Sequence, residues 1–130
     1  MDIRKDLLYS DQHEWVRIED DKAFIGITDY AQENLGDIVF VEMPEVDREV
    51  EAEEAVGVIE SVKAVADLFS PVSGTIVEIN EELEDAPQLL NEEPYEQHIL
   101  VVSMSELGEA DDLMNADDYA RFCEEEEQRG

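Results

Sequence analysis

Basic residues are scarce in this sequence. It contains 8 lysines and arginines against 37 aspartates and glutamates, which gives a formal net charge of −29 over 130 residues. A surface this acidic repels phosphate backbones and anionic lipid headgroups, so neither nucleic acid nor a membrane is an expected partner. It would attract partners with basic faces, or it reflects a salt-rich cytoplasm, and the sequence leaves both explanations open.

Cysteine and long apolar runs are also nearly absent. Cys123 is the single cysteine, so no intrachain disulfide forms and we expect this thiol to be a packing residue in a reducing compartment. No apolar run approaches the ~20 residues of a membrane helix. The first fifteen residues lack the features of a signal or transit peptide. We therefore expect a cytoplasmic protein.

Motifs for catalysis or metal binding are missing as well. The sequence has no Gly-rich phosphate loop, no nucleophile elbow, no spaced Cys and His cluster and no calcium-loop pattern. Its two histidines, His13 and His98, are not arranged with a serine or with Cys123 in a familiar catalytic pattern. Adjacent carboxylates arise by chance among 37 acidic residues and indicate a solvated face. We expect no catalytic residues and no metal.

Short runs rich in valine and isoleucine recur along the chain, separated by turn signals. Such runs predict β-strands, and their spacing favours an all-β sandwich or barrel over strand–helix alternation. At 14.8 kDa the chain fits a single domain, residues 1–130, with its own core. The predicted strands are residues 14–18, 22–27, 37–43, 55–61, 64–69, 74–79 and 98–104.

Two helices interrupt the strands. Asp29 is the predicted cap of a short helix near residues 29–35. Asn115 is the predicted cap of a C-terminal helix near residues 116–125. Four consecutive glutamates then oppose the negative end of that helix dipole, so residues 124–130 are predicted to form an acidic, frayed tail.

One lysine stands apart from the rest of the sequence. Lys63 is the only lysine or arginine in residues 49–120. Two strand-like runs meet at residues 61–64 without glycine or proline, which is consistent with a tight hairpin that projects Lys63 outward. The simpler interpretation is a surface lysine paired with Glu60 or Asp67. A lysine on a rigid turn also suits a covalent cofactor, because a modifying enzyme can reach the free amine.

The segment around Lys63 resembles the lipoylation region of glycine cleavage system H proteins. That local match covers residues 57–64, Asp67 and residues 70–74. Similar residues then occur in the family's order along nearly the whole chain. They are residues 13–16, 26–29, 31–32, 35–42, 44–46, Asn91, 94–95, Tyr119 and Phe122.

The resemblance implies a carrier rather than an enzyme. In H proteins the lysine that matches Lys63 bears lipoate in amide linkage, and Glu60, Ser61, Val62 and Ala64 correspond to the surrounding motif. The implied fold is mostly β, a flattened barrel or sandwich of two antiparallel sheets, as in a hybrid of lipoyl and biotinyl domains. The implied state is a monomer.

The resemblance also implies partners. A pyridoxal-phosphate glycine decarboxylase loads an aminomethyl group onto the lipoyl arm, a folate-dependent aminomethyltransferase removes it, and dihydrolipoamide dehydrogenase reoxidises the dithiol. A lipoate ligase or octanoyltransferase attaches the cofactor. By the same resemblance, Glu14 and Asp67 are candidates to hold the amine end of the loaded arm, while His13 and Trp15 are expected to be structural.

The sequence is also compatible with other functions. An H-like protein could instead relay lipoyl or octanoyl groups in lipoate biosynthesis, and departures such as Tyr30, where H proteins usually have histidine, bear on partner docking. An unmodified acidic scaffold is a further alternative. A biotin carrier would place methionine on both sides of the target lysine, whereas the neighbours here are Val62 and Ala64.

Overall fold

The computed structural model describes residues 1–129, and Gly130, the last residue of the predicted domain and tail, lies outside the described residues. Strands dominate the described chain, and short helices separate some of them. The elements are β1 (Leu8–Tyr9), β2 (Glu14–Glu19), β3 (Lys22–Ile27), α1 (Asp29–Leu35), β4 (Ile38–Glu42), β5 (Glu49–Val50), β6 (Glu54–Ser61), β7 (Val65–Ser70), β8 (Gly74–Ile79), α2 (Glu82–Asp85), α3 (Leu89–Glu92), β9 (Leu100–Met104), a 3₁₀ helix (Leu107–Asp112) and α4 (Ala116–Arg129).

The strands form two antiparallel sheets. One sheet has six strands in the order β1-β2-β3-β9-β8-β5, and the other has three in the order β4-β6-β7. Within the described chain the sheets remain two open layers and do not close into a barrel. The predicted mostly β fold of two antiparallel sheets is therefore confirmed, in its sandwich form.

All seven predicted strands are present, with ends displaced by two residues at most. The sequence did not predict the two-residue strands β1 and β5, nor α2, α3 and the 3₁₀ helix. Elements this short contain too few repeats of a hydrophobic pattern for periodicity to reveal them. No helix in residues 1–129 is long and apolar enough to cross a membrane.

The two sheets enclose the main hydrophobic core. Strand residues alternate between faces, and the inward positions carry large aliphatic side chains. Those of the six-stranded sheet meet those of the three-stranded sheet, and the most deeply buried of them are at most 2% exposed. They include Ile25, Ile76 and Leu100 from the first sheet and Ile59 and Leu68 from the second.

A second, aromatic cluster lies beneath α4. The Tyr9 and Tyr119 rings stack with centroids 4.4 Å apart. Trp15 is fully buried, and its indole Nε1 donates a hydrogen bond to the Pro94 carbonyl at 2.9 Å. Cys123 is also fully buried in this cluster. The expectations that Trp15 and Cys123 are packing residues are confirmed.

The predicted cap of α1 was wrong by one residue. Thr28, in extended conformation, accepts a hydrogen bond at Oγ1 from the Ala31 N–H at 3.2 Å, so it occupies the cap position. Asp29 is already helical, and its carboxylate accepts a hydrogen bond from Gln32 Nε2 instead. The helix ends at Gly36, whose φ of 76° suits glycine.

Helix α4 begins as predicted and extends further than predicted. Asn115 Oδ1 accepts a hydrogen bond from the Asp118 N–H at 2.9 Å, as a cap does. The helix continues to Arg129. Glu126 in its last turns contacts His13 Nε2 at 2.8 Å, and His13 Nδ1 contacts the Tyr119 hydroxyl at 2.7 Å. Fraying of the tail stays a prediction.

Candidate functional site

Lys63 lies at the tip of the hairpin that joins β6 to β7. The turn is closed by a hydrogen bond from the Ser61 N–H to the Ala64 carbonyl at 2.8 Å. The Ser61 hydroxyl oxygen also accepts hydrogen bonds from the N–H groups of Ala64 at 3.0 Å and Lys63 at 3.3 Å. Three residues between two paired strands are therefore held by the serine that precedes them, which makes the turn rigid without glycine or proline.

A neighbouring loop supports this turn from the side. The Val62 N–H donates to the Asp37 carbonyl at 3.0 Å. The aliphatic stem of Lys63 passes so close to Gly36 that a β-carbon there would lie 3.2 Å from Lys63 Cε. Asn91 in turn fixes the loop, because it accepts from the Ile38 N–H at 2.9 Å and donates to the Gly36 carbonyl at 2.8 Å.

The Lys63 side chain is exposed and has no carboxylate partner among residues 1–129. The salt bridges of the described chain involve other cations. Neither Glu60 nor Asp67, the two partners that a simple surface lysine would use, lies within 4 Å of its nitrogen. The amine is thus accessible to an enzyme and need not be released from an ion pair first.

Glu14, the first residue of β2, is a buried carboxyl group with 2% exposure. Its Oε1 accepts a hydrogen bond from Ser10 Oγ at 2.5 Å, and its Oε2 accepts one from the Phe69 N–H at 3.3 Å. Burial raises the pKa of Glu14 to about 7, against the opposing effect of these two hydrogen bonds. The carboxyl group therefore titrates near neutral pH.

Glu14 faces a cleft of about 490 Å³ between the three-stranded sheet and the C-terminal part of the chain, which includes α4. Its walls combine apolar side chains with a few polar ones, a composition typical of ligand sites. The apolar lining includes Tyr9 from β1, Phe69 from β7 and Phe122 from α4. The 3₁₀ helix contributes two acidic residues, Glu109 and Asp112. The lining residues are Tyr9, Ser10, Asp11, Gln12, Glu14, Ala52, Glu53, Phe69, Ser70, Pro71, Glu109, Asp112, Leu113, Met114 and Phe122.

Asp67 does not line this cleft. It lies on β7, where Val65, Asp67 and Phe69 share the outer face because alternate strand residues point the same way. Phe69 reaches the cleft, whereas Val65 adjoins the Lys63 turn. Asp67 is exposed between them, so the structure places it along the strand that connects Lys63 to the cleft.

Several cleft residues were not predicted from the sequence. Ser10 and Phe69 contact Glu14, and Phe122 brings the C-terminal helix to the cleft. Glu109 anchors one wall by accepting hydrogen bonds from the N–H and hydroxyl of Ser73 at 2.7 and 2.8 Å. Phe122 belonged to the family resemblance, whereas no pattern in the sequence marks the other three. No group of three or more potential metal ligands occurs among the residues that the structure describes.

The fold and the site define a small two-sheet β protein that presents one free lysine at a rigid hairpin tip. Comparison with known proteins agrees with this class. Residues 7–126 match the model of the glycine cleavage H-protein family. A solved glycine cleavage system H protein from Mycobacterium marinum superposes with a TM-score of 0.84 at 40% identity, over 91% of this chain and 96% of that one.

Sequence relatives give the same assignment over nearly their full lengths. A glycine cleavage system H protein from Syntrophomonas wolfei is 60% identical over 98% of both chains. A mitochondrial H protein from Arabidopsis thaliana is 53% identical over 96% of this chain and 81% of the plant protein. The chain belongs to the glycine cleavage H-protein family, and the resemblance noted in the sequence is confirmed.

Proposed function

We propose that this chain is the lipoyl carrier of the glycine cleavage system, with lipoate in amide linkage to Nζ of Lys63. The observation that carries the proposal is an accessible lysine, free of carboxylate partners in the described chain, at the tip of a rigid hairpin in a member of the H-protein family. Glu60, Ser61, Val62 and Ala64 are the proposed recognition motif around it.

Attachment requires a lysine amine that reaches an activated acyl group. The neutral Lys63 nitrogen attacks the carbonyl carbon of an acyl-adenylate or acyl thioester held by the attaching enzyme. The C–N bond forms, the bond to AMP or to the thiol breaks, and the displaced proton passes to a base of that enzyme. A lipoate ligase or an octanoyltransferase is the proposed class of attaching enzyme.

When bound, lipoate supplies a reversible disulfide that partner enzymes load, unload and reoxidise. The chain supplies the anchor, and tethering raises the effective concentration of the bound group at each docked active site. The proposed partners are glycine decarboxylase, aminomethyltransferase and dihydrolipoamide dehydrogenase. In this proposal the chain is a non-catalytic, monomeric component in the cytoplasm, and its net charge of −29 attracts partners with basic faces.

Glu14 is the proposed contact for the amine end of a loaded arm. A cation beside the buried carboxyl group offsets the desolvation that raises its pKa, so Glu14 would release its proton when the amine arrives. Asp67 is exposed on the face of β7 between Lys63 and the cleft. It is the proposed second carboxylate that contacts the amine of the loaded arm. The walls of the cleft would limit the access of water to the amine.

Intact-mass measurement tests the attachment site. The purified chain, incubated with lipoate, ATP and a lipoate ligase, is expected to gain one lipoyl group, and Lys63→Arg is expected to gain none. Lys22→Arg is the matched control because Lys22 is also an exposed lysine in this chain, and it should be modified like the wild type. An unmodified wild-type protein would contradict the proposal.

A second assay separates the carrier from the relay. Loaded protein, mixed with the three enzymes of the system, should support glycine decarboxylation as a carrier. Failure in that mixture, together with transfer of the lipoyl group to other lipoyl domains, would favour a relay in lipoate biosynthesis.

A further inference from the structure

Four large apolar side chains are exposed around the Lys63 turn. Val39 is 53% exposed, Phe40 49%, Val62 72% and Val65 67%. In the part of the chain that the structure describes, eight large apolar residues are exposed to solvent, and half of them are these four. We call Val39, Phe40, Val62 and Val65 the hairpin patch.

Backbone pairing brings these residues together. Glu60 of β6 pairs with Phe40 of β4 on one side and with Val65 of β7 on the other, so the three lie in one row across the sheet. Directly paired side chains of neighbouring strands share a face. Val62 is adjacent to Lys63 in the turn and is tied to the β4 side by its hydrogen bond to Asp37.

A bulge in β4 produces much of the exposure. The register with β6 shifts between Ile38 and Phe40, so Val39 is the extra residue. Ile38 and Val41 face the core at 3% and 2% exposure, while Val39 and Phe40 both point to solvent. A regular strand would have turned one of these two side chains inward.

The surroundings of the hairpin patch are acidic. Asp37 and Glu42 are exposed on the β4 side, Asp67 is exposed on the β7 side, and Glu60 lies within the row. Lys63 is the only lysine or arginine in residues 49–120. A surface that fits this patch would have an apolar centre surrounded by lysine or arginine side chains.

We propose that the hairpin patch is the docking surface for the enzyme that attaches lipoate to Lys63, an inference that rests on the proposed function. A lysine nitrogen lies only about 6 Å from its own Cα. An enzyme that acylates this nitrogen must therefore contact the turn and its neighbours. Enzymes that act later meet the far end of a long arm, so contact with Phe40 and Val65 is not required of them.

Rates of attachment test this proposal. Phe40→Ser and Val65→Ser are each expected to lower kcat/KM for lipoate attachment by a purified lipoate ligase about tenfold, mainly through KM, as for central interface residues. Val77→Ser is the matched control, because Val77 is 39% exposed on a strand of the other sheet, and it should react at the wild-type rate. Val65 is 67% exposed and contributes little to the core, so Val65→Ser should fold normally even if Phe40→Ser does not.

A second measurement tests whether the hairpin patch serves the attaching enzyme rather than the glycine decarboxylase. Variants loaded to completion by prolonged incubation should support decarboxylation by the glycine decarboxylase within twofold of the wild type. If Val65→Ser and Phe40→Ser are modified at the wild-type rate, or if the fully loaded variants lose the decarboxylase step, the docking assignment is overturned while the carrier function stands. A wild-type chain that the ligase leaves unmodified overturns both.

Discussion

The carboxylate of Glu14 in the six-stranded sheet accepts a hydrogen bond from the backbone N–H of Phe69 in the three-stranded sheet. The two residues are 55 positions apart in the sequence. One acidic side chain thus joins the two layers at the base of the cleft, where burial raises its pKa to about 7. The burial of Glu14 should therefore make the stability of the fold depend on pH.

The stability contribution of Glu14 should fall as pH rises. The pKa is about 7 in the folded chain and 4.5 in the reference state, so between these values the folded chain binds more protons than the unfolded one, and the free energy of unfolding decreases. Glu14→Gln does not titrate. Relative to the wild type, it should gain about 2 to 3 kcal/mol of stability between pH 5 and pH 8.5.

Urea unfolding of both proteins at the two pH values measures this difference. Altered hydrogen bonding with Ser10 changes the stability of Glu14→Gln by the same amount at both pH values, so this contribution cancels when the two stability differences are subtracted. Glu49→Gln is the control, because Glu49 is exposed and stays in water whether the chain is folded or not. Equal pH dependence of Glu14→Gln and the wild type would show that Glu14 is not desolvated.

Gly26→Ala should disturb the single tryptophan. Gly26 pairs with Trp15 across β2 and β3, and a β-carbon at Gly26 would lie 2.6 Å from the indole ring. The ring must shift, which costs about 1 to 3 kcal/mol or more for overpacking in a core. We expect a lower unfolding midpoint and an altered Trp15 emission spectrum. Gly108→Ala, where a β-carbon meets open space, should change neither.

Asn91→Ala should loosen the loop that supports the Lys63 turn. The substitution removes the acceptor for the Ile38 N–H and the donor to the Gly36 carbonyl, and both are part-buried. Loss of these bonds should destabilise the fold by about 2 to 3 kcal/mol and raise amide exchange in residues 36–38. Asn115→Ala removes only a helix cap and should cost about 1 kcal/mol without affecting that loop.

Glu126→Gln tests the end of α4. The predicted frayed tail starts at residue 124, yet Glu126 contacts His13 in the structure. Hydrogen exchange should find the amides near Glu126 more protected in the wild type than in Glu126→Gln, because the variant loses the charged partner of His13. Glu125→Gln is the matched control on the exposed side of the helix. Rapid exchange from residue 124 onward in the wild type would support the frayed tail instead.

Local pattern predicted most of the fold. The seven strand-sized runs became strands because their apolar residues repeat at the spacing that a two-layer core requires. Asn115 was predicted correctly as a cap because its side chain acts on an N–H three residues away. At α1 the same logic missed by one residue, since Thr28 and Asp29 are both good caps and local sequence alone does not choose between them.

The sequence by itself determined the positions of the longer strands, the hairpin and the exposed lysine at its tip, because each of these depends on residues within a few positions of one another. Only the tertiary structure decided the cleft, the burial of Glu14, the exclusion of Asp67 from the cleft lining and the grouping of the hairpin patch. These features arise where strands from distant parts of the chain pack together, and desolvation depends on that packing rather than on neighbours in the sequence.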